Sequence, residues 1–422
     1  MRLERRRLEE ARALVADVRS LVADAPSVTA AVAEIIAAVV AEDDAAVQRY
    51  TALFDADPPP PQRVGPEELE AALAELDPWV RYGLEVAIAN VAEVAWAAGG
   101  EDREVTLPQG HRVVLREIPV GRAAIYVPGG RAPYPSTVVM GAVTARAAGV
   151  TEIVVATPPP VDPVVLGACA LVGVSEVHRM GGAQAIAALA HGTHSVEPVD
   201  VIVGPGNLYV QEAKRQLSGR VGIDGFAGPS DLLVVFDAPD AGAIRLIAHD
   251  LLAQAEHGEA SLVVAIAPDA VLLDALEADL RALWADQRAP CVLIEAASLM
   301  EALEFADAFA PEHLELIGPG AEYLAPRVRC AGCVFVGWPS ATAFGDYVAG
   351  SNHILPTGGS ARFASALDVR HFRRRMAEVR IDHGSLPALV AAGAPIARAE
   401  GFTAHERSMT ARVPDIVDNP SQ

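Results

Sequence analysis

The sequence predicts an α/β protein with doubly wound parallel sheets. Two observations carry this. Six short apolar runs have the Val/Ile density of strands buried on both faces: AAIYV (123–127), EIVVAT (152–157), VDVIVG (199–204), DLLVVFD (231–237), SLVVAIA (261–267) and CVFVGW (333–338). Each leads into Gly or Pro and then a helical stretch, the rhythm of strand–crossover–strand units. The 422 residues are 51% hydrophobic, so a large core is available and wholesale disorder is excluded.

The remaining segments follow in order. MRLERRRLEEARALVADV alternates charges as an exposed helical arm does. SVTAAVAEIIAAVVAE and DDAAVQRYTALFDA read as Ala-rich helices, and Pro58 to Pro61 as a stiff connection. Pro66 opens a further helix, and Asp77–Pro78 is an N-cap followed by a first-turn proline. Residues 104–119 have strand character. RHFRRRMAEVR (370–380) is basic within an acidic chain. It suggests a self-association surface or a solvated basic helix. An Ala-rich helix and a short tail follow it.

Charge removes several function classes. Acidic residues number 55 against 33 basic ones, a formal charge of −22. Nucleic acid and anionic membrane surfaces both favour clustered Lys and Arg, so neither partner is expected. No stretch is long and apolar enough to span a bilayer, and the N-terminus lacks the apolar core of an export signal. Cys169, Cys291, Cys330 and Cys333 are too sparse for a disulfide framework. A cytoplasmic location is expected. Cys330 and Cys333 form a CxxC that runs into a strand, where structural cysteines are expected rather than a redox pair.

Four segments could carry chemistry. DLLAQAEHG ends a helix expected over 240–257 and puts Asp250, Gln254 and His257 on one of its faces, an amide oxygen and an imidazole within reach of one cation. His257 would equally suit a helix C-terminus before Gly258. APEHLEL places Glu312 beside His313, after a helix begun by a Ser298–Glu301 capping box. Pro311 should leave them in an irregular turn, two proton acceptors of different basicity. FGDYVAGSNHILPTGG is a Gly-rich loop carrying Asp346 and His353, and EGFTAHERS carries Glu400 and His405. Mixed N/O donors without thiolate suit Zn²⁺ or a similar ion. The Gly-rich turns never spell G-x-G-x-x-G, so the usual dinucleotide fingerprint is missing.

Taken together, these motifs resemble the histidinol dehydrogenase family. IYVPGGRAPYPST, MGGAQAIAALAHGT, VDVIVGPGNLYVQEAKRQ, IDGFAGPSDLLVV, DLLAQAEHG, APEHLE, GDYVAGSNHILPTGG, ARFASALDV and EGFTAH carry the resemblance in that order, from about residue 28 to 413. The resemblance implies two NAD⁺-dependent oxidations, L-histidinol to L-histidinaldehyde to L-histidine, the last steps of histidine biosynthesis. It implies one Zn²⁺ per subunit at Gln254, His257, Asp346 and His405, the last from the partner of a homodimer with shared active sites. His313 would be the base for alcohol oxidation, and Glu312 would activate water for the aldehyde step. Ser230, His353 and Glu400 match substrate contacts, alongside the metal ligands and His313. Tyr126, Gln184 and Asn207 match NAD contacts.

The implied fold is two incomplete Rossmann-like domains. The expected organisation is a helical arm (1–20), a first α/β domain (21–121 with 234–367), an NAD-side α/β domain (122–233) and a C-terminal dimerisation domain (368–422). Several positions depart from the family pattern. Asp231 stands for a usual Glu, Ser351 for Pro and Ala366 for Gly. CAGC replaces an NAGA-type run, and residues 90–100 lack an FHxxQ-like element. These departures keep open a paralogous dehydrogenase of another amino alcohol or diol. A zinc hydrolase and a non-catalytic zinc protein are the readings from other classes.

Overall fold

The computed structural model describes residues 2–22, 26–130, 132–226, 228–237, 240–283 and 288–413. Arg131 of PGGRAP, Ala227 of AGPS and the tail beyond 413 lie outside the described residues. The chain divides into a large unit, residues 1–99 with 120–372, and a small one, 100–119 with 373–422.

Two wholly parallel sheets form the large unit. One runs Glu176–Arg179, Glu152–Thr157, Arg122–Tyr126, Val201–Val203, Gly222–Ile223. Numbered by sequence within the sheet, that order is 3-2-1-4-5. The other runs Arg2–Arg7, Pro290–Glu295, Leu262–Ala267, Asp231–Phe236, His313–Ile317, Cys333–Val336. Without its N-terminal edge strand it has the same 3-2-1-4-5 order. Each sheet is a Rossmann arrangement short of its last strand, as the resemblance implied.

Alternation along the strands divides the core. Ala123 and Ile125 face one cluster, and Ala124 and Tyr126 the other. In the second sheet Leu232, Val234 and Phe236 oppose Leu233 and Val235. The helices between residues 29 and 97 bury Val32, Ile35, Leu84 and Val91 against the five-stranded sheet. Apolar packing ties these helices to the sheet of residues 122–223, and Ile354 and Leu367 join the same cluster.

The first turn of the chain also differs from expectation. Arg2–Arg7 is a strand, parallel to Pro290–Glu295, and only Ala11–Arg19 is helical. The charge alternation has period two as well as helical spacing, so it fits an edge strand. Leu3 turns inward onto the core. Arg5 meets Asp274 at 2.5 Å and Glu277 at 2.8 Å. Such a charged edge resists pairing with another sheet.

The small unit is an antiparallel sheet, with Arg112–Pro119 between Arg373–Arg380 and Arg103–Thr106. The basic run is thus a strand for most of its length, not a helix. Its partner strand answers its charge, with Nε of Arg375 2.7 Å from Glu117 and Arg116 3.6 Å from Glu378. This pairing brings residues 100–119 into the same unit as the C-terminal segment. Helices Leu386–Ala399 and Thr403–Thr410 pack on each other and bury Val390, Ala394 and Ala397. Among the described residues, no helix is long and apolar enough to cross a membrane.

Candidate active site

The Glu312–His313 pair lies at the amino edge of the six-stranded sheet. Ser298 caps the helix Leu299–Phe309, its Oγ accepting the Glu301 N–H at 3.2 Å. The helix ends at Ala310, whose φ of 49° turns the chain back toward the sheet. His313 is then not in an irregular turn but is the first residue of a parallel strand. HLELI is short and carries a Glu, which hid it among helical patterns. The strand geometry sends adjacent side chains in different directions.

Neighbouring strands supply the brace. Glu312 N–H donates to Oδ1 of Asp231 at 2.7 Å, and Asp231 N–H returns a bond to Oε2 of Glu312 at 3.1 Å. Ser230 Oγ donates to the same Oε2, and Gln254 Nε2 donates to Ser230 Oγ at 2.6 Å. Arg19 reaches Oδ2 of Asp231 at 3.3 Å and the Phe309 carbonyl at 2.6 Å. Arg19 and Asp231 were not singled out as site residues. A buried acid facing a distant arginine leaves no local pattern in the sequence.

Burial sets the protonation states. It pushes Glu312 well above the usual carboxylate range, and the Asp231 and Asp346 carboxylates add to the rise. It also lowers His313 to about 3, helped by His257 and His353. Oε2 of Glu312 and Nδ1 of His313 stand 3.8 Å apart. Burial disfavours the imidazolium, so this contact is not an ion pair. His313 is therefore a neutral imidazole, able to accept a proton.

The donor residues gather around this pair. The helix Ala241–Ala255 ends before His257, which leaves the expected helical face and follows Gln254 in a turn. Asp346 sits in the short helix Thr342–Tyr347, with Oδ1 3.9 Å from Nε2 of His313. Burial pushes Asp346 up to about 6. His353 Nδ1 contacts the Asp346 carbonyl at 2.9 Å, and its Nε2 meets Thr137 Oγ1 at 3.1 Å. Among the described residues no three His, Cys, Asp or Glu make a metal cage. Glu400 and His405 belong to the small unit and are exposed there.

The second cluster lies at the carboxyl edge of the five-stranded sheet. Tyr126 ends one central strand, and Gly204 follows the other, so they straddle the point where strand order reverses. Tyr126 OH accepts the Gly182 N–H at 3.1 Å. Gln184 is buried two residues on, its Nε2 3.5 Å from Asp55. Asn207 caps the next helix, its Oδ1 accepting from Tyr209 at 3.0 Å and Val210 at 3.1 Å. Two helix N-termini thus open beside the switch point, the usual seat of a dinucleotide.

The sequence matches the histidinol dehydrogenase family over residues 19–413. The chain belongs to this family. The histidinol dehydrogenase of Cereibacter sphaeroides is 43% identical over 395 residues, 89% of each chain. That of Gluconobacter oxydans is 40% identical over 393 residues, 89% of this chain and 90% of the relative. The crystal structure of histidinol dehydrogenase from Elizabethkingia anophelis superposes with a TM-score of 0.90 at 28% identity, covering 99% and 98% of the two chains. As a histidinol dehydrogenase the chain is an NAD-dependent oxidoreductase of histidine biosynthesis, and the hydrolase and non-catalytic readings fall away.

Its departures from the family pattern converge. Val94, Ala98, Cys333, Ser351 and Ala366 line one cavity of about 480 Å³. The cavity backs onto the Glu312–His313 pair, since Cys333 N–H donates to the Glu312 carbonyl at 2.9 Å. Four of the expected departures, remote in sequence, therefore line one cavity. Asp231 lies apart from it and is the Glu312 brace. Cys333 is half-buried and its thiol is raised by burial, which fits a structural cysteine.

Proposed function

We propose that the chain performs both oxidations, histidinol to histidinaldehyde and histidinaldehyde to histidine, at the Glu312–His313 site. The carrying observation is the continuous series Gln254–Ser230–Glu312–His313–Asp346, linked at 2.6 to 3.9 Å and by the Ser230–Glu312 hydrogen bond. His313, held neutral, removes the hydroxyl proton as hydride leaves the carbinol carbon. Glu312, raised in basicity by burial, takes a proton from the water that adds to the aldehyde. The hydrated aldehyde then loses a second hydride and becomes the carboxylate. Tyr126, Gln184 and Asn207 would hold NAD⁺, which would supply the hydride acceptor for both oxidations.

The donor set fits a divalent ion. Gln254, His257 and Asp346 offer an amide oxygen, an imidazole and a carboxylate, and the half-buried Asp346 would gain from a nearby cation. A Zn²⁺ there would orient the substrate and retain it between the two oxidations. His405 and Glu400 of the partner subunit would complete the site in a homodimer, with His405 as the fourth protein ligand. Ser230 and His353 would contact the substrate. The sparse cysteines suit a cytoplasmic enzyme.

The test counts NADH per histidine formed from histidinol, before and after chelation. Two NADH per histidine, lost on chelation and restored by Zn²⁺, support the reading. His257→Ala should lose zinc and activity together. A fully active, zinc-replete His257→Ala enzyme would overturn the ligand assignment.

A further inference from the structure

Lys214 is the chain's single lysine; the other basic residues are all arginine. It is also fully buried, in the helix Leu208–Leu217 that follows the GPGN turn. Its Nζ donates to the Gly204 carbonyl at 2.5 Å and to Oδ1 of Asp224 at 2.7 Å. The other oxygen of Asp224 accepts the Gly204 N–H at 2.7 Å. One buried ion pair therefore grips both polar groups of a single residue.

Gly204 occupies the tightest point of the switch. Its φ is +118°, and a Cβ there would lie 2.1 Å from the Tyr126 carbonyl oxygen. The peptide has no side chain to hold it and no strand beyond it, so its orientation rests on Lys214 and Asp224. Three residues later Asn207 caps the helix. A tilt at Gly204 passes directly into the turn 204–207.

We propose that Lys214 and Asp224 are positioning residues for the cofactor turn, fixing Gly204 so that the turn and the helix N-terminus meet the dinucleotide. This rests on the reading that Tyr126, Gln184 and Asn207 face NAD. The choice of lysine is chemical. One compact ammonium serves a carbonyl and a carboxylate at once, where a planar guanidinium is larger and its donors diverge. Everywhere else this chain uses arginine. The arginines of the two edge strands, Arg5 and Arg375 among them, meet carboxylates at the surface.

The test measures steady-state kinetics and NAD⁺ binding on the full-length, zinc-loaded enzyme. Lys214→Met keeps length and loses the charge. It should raise KM for NAD⁺ by about tenfold or more, with KM for histidinol and zinc content within twofold. Asp224→Asn, which keeps an acceptor for the Gly204 N–H, should raise it less. A folded Lys214→Met with an unchanged KM for NAD⁺ overturns the proposal, as do equal losses in every parameter. If Lys214→Met does not fold, Lys214→Arg and Asp224→Asn decide by the same split. Gln184→Ala is measured alongside. If it raises KM for NAD⁺ and the Lys214 and Asp224 variants do not, the clamp fails while the cofactor reading stands. If Gln184→Ala has no effect, the cofactor reading fails on its own.

Discussion

Replacing Arg19 with Met should weaken the Asp231–Glu312 brace from outside the site. Arg19 faces the Asp231 carboxylate at 3.3 Å, donates to the Phe309 carbonyl at 2.6 Å and lies 4.0 Å over the Phe309 ring. The Asp231 side chain is 1% exposed and that of Arg19 26%. Breaking such a pair costs about 3 kcal/mol, the low end for buried pairs because Arg19 is partly wet. The lost hydrogen bond and ring contact bring the total to about 4 kcal/mol. Spread over the roughly 350 residues of the large unit, this lowers Tm by about 5 °C.

The pH dependence has a definite sign. Burial already raises Asp231 to about 6, with Arg19 opposing the rise. Asp231 therefore favours the fold when protonated, and its contribution declines as pH rises from the unfolded value of about 3.9 through about 6. Without Arg19 the rise is larger. The deficit of the variant should be greatest above pH 6 and shrink toward pH 4. Calorimetry across that range is the assay. A Tm within 1 °C of the parent at pH 8, or a deficit that grows on acidification, would refute the reasoning.

Ser230→Ala removes the donor to Glu312 and the acceptor for Gln254. Turnover should fall about 10- to 100-fold, and the acid limb of the pH–rate profile should move up, because Glu312 loses a bond to its charged form. An unshifted limb would count against Glu312 as the base. Glu176 tests the five-stranded sheet: the His178 hydrogen bond and then Arg122 hold it down to about 2. Its stabilising effect is present above the unfolded value of about 4.3 and is lost as pH falls toward 2. Glu176→Gln should lose about 1–2 kcal/mol at neutral pH, after allowance for solvent screening, and match the parent near pH 2. An equal loss at both pH values would contradict this.

Much of the fold was legible because buried parallel strands are nearly continuous Val and Ile. Asp231–Phe236 and Leu262–Ala267 show this. Arg2–Arg7 was hidden because an edge strand with a wet face needs only one inward residue, Leu3. His313–Ile317 was hidden because its Glu315 is buried and bonded to Thr342 at 3.0 Å, a long-range contact that hydropathy reads as surface. The candidate site followed the same division. Gln254, His257, Glu312, His313 and Asp346 announced themselves as motifs. Arg19 and Asp231 join residues more than two hundred positions apart, and no spacing rule reaches that far.

The central claim is that Glu312 and His313 divide two oxidations between them. The direct measurement is single-turnover NADH formation by Glu312→Gln, started separately from histidinol and from histidinaldehyde. Only the aldehyde step needs an activated water, so that step should slow about 100-fold or more while alcohol oxidation changes by less than about tenfold. Equal losses from the two substrates would contradict the division of roles.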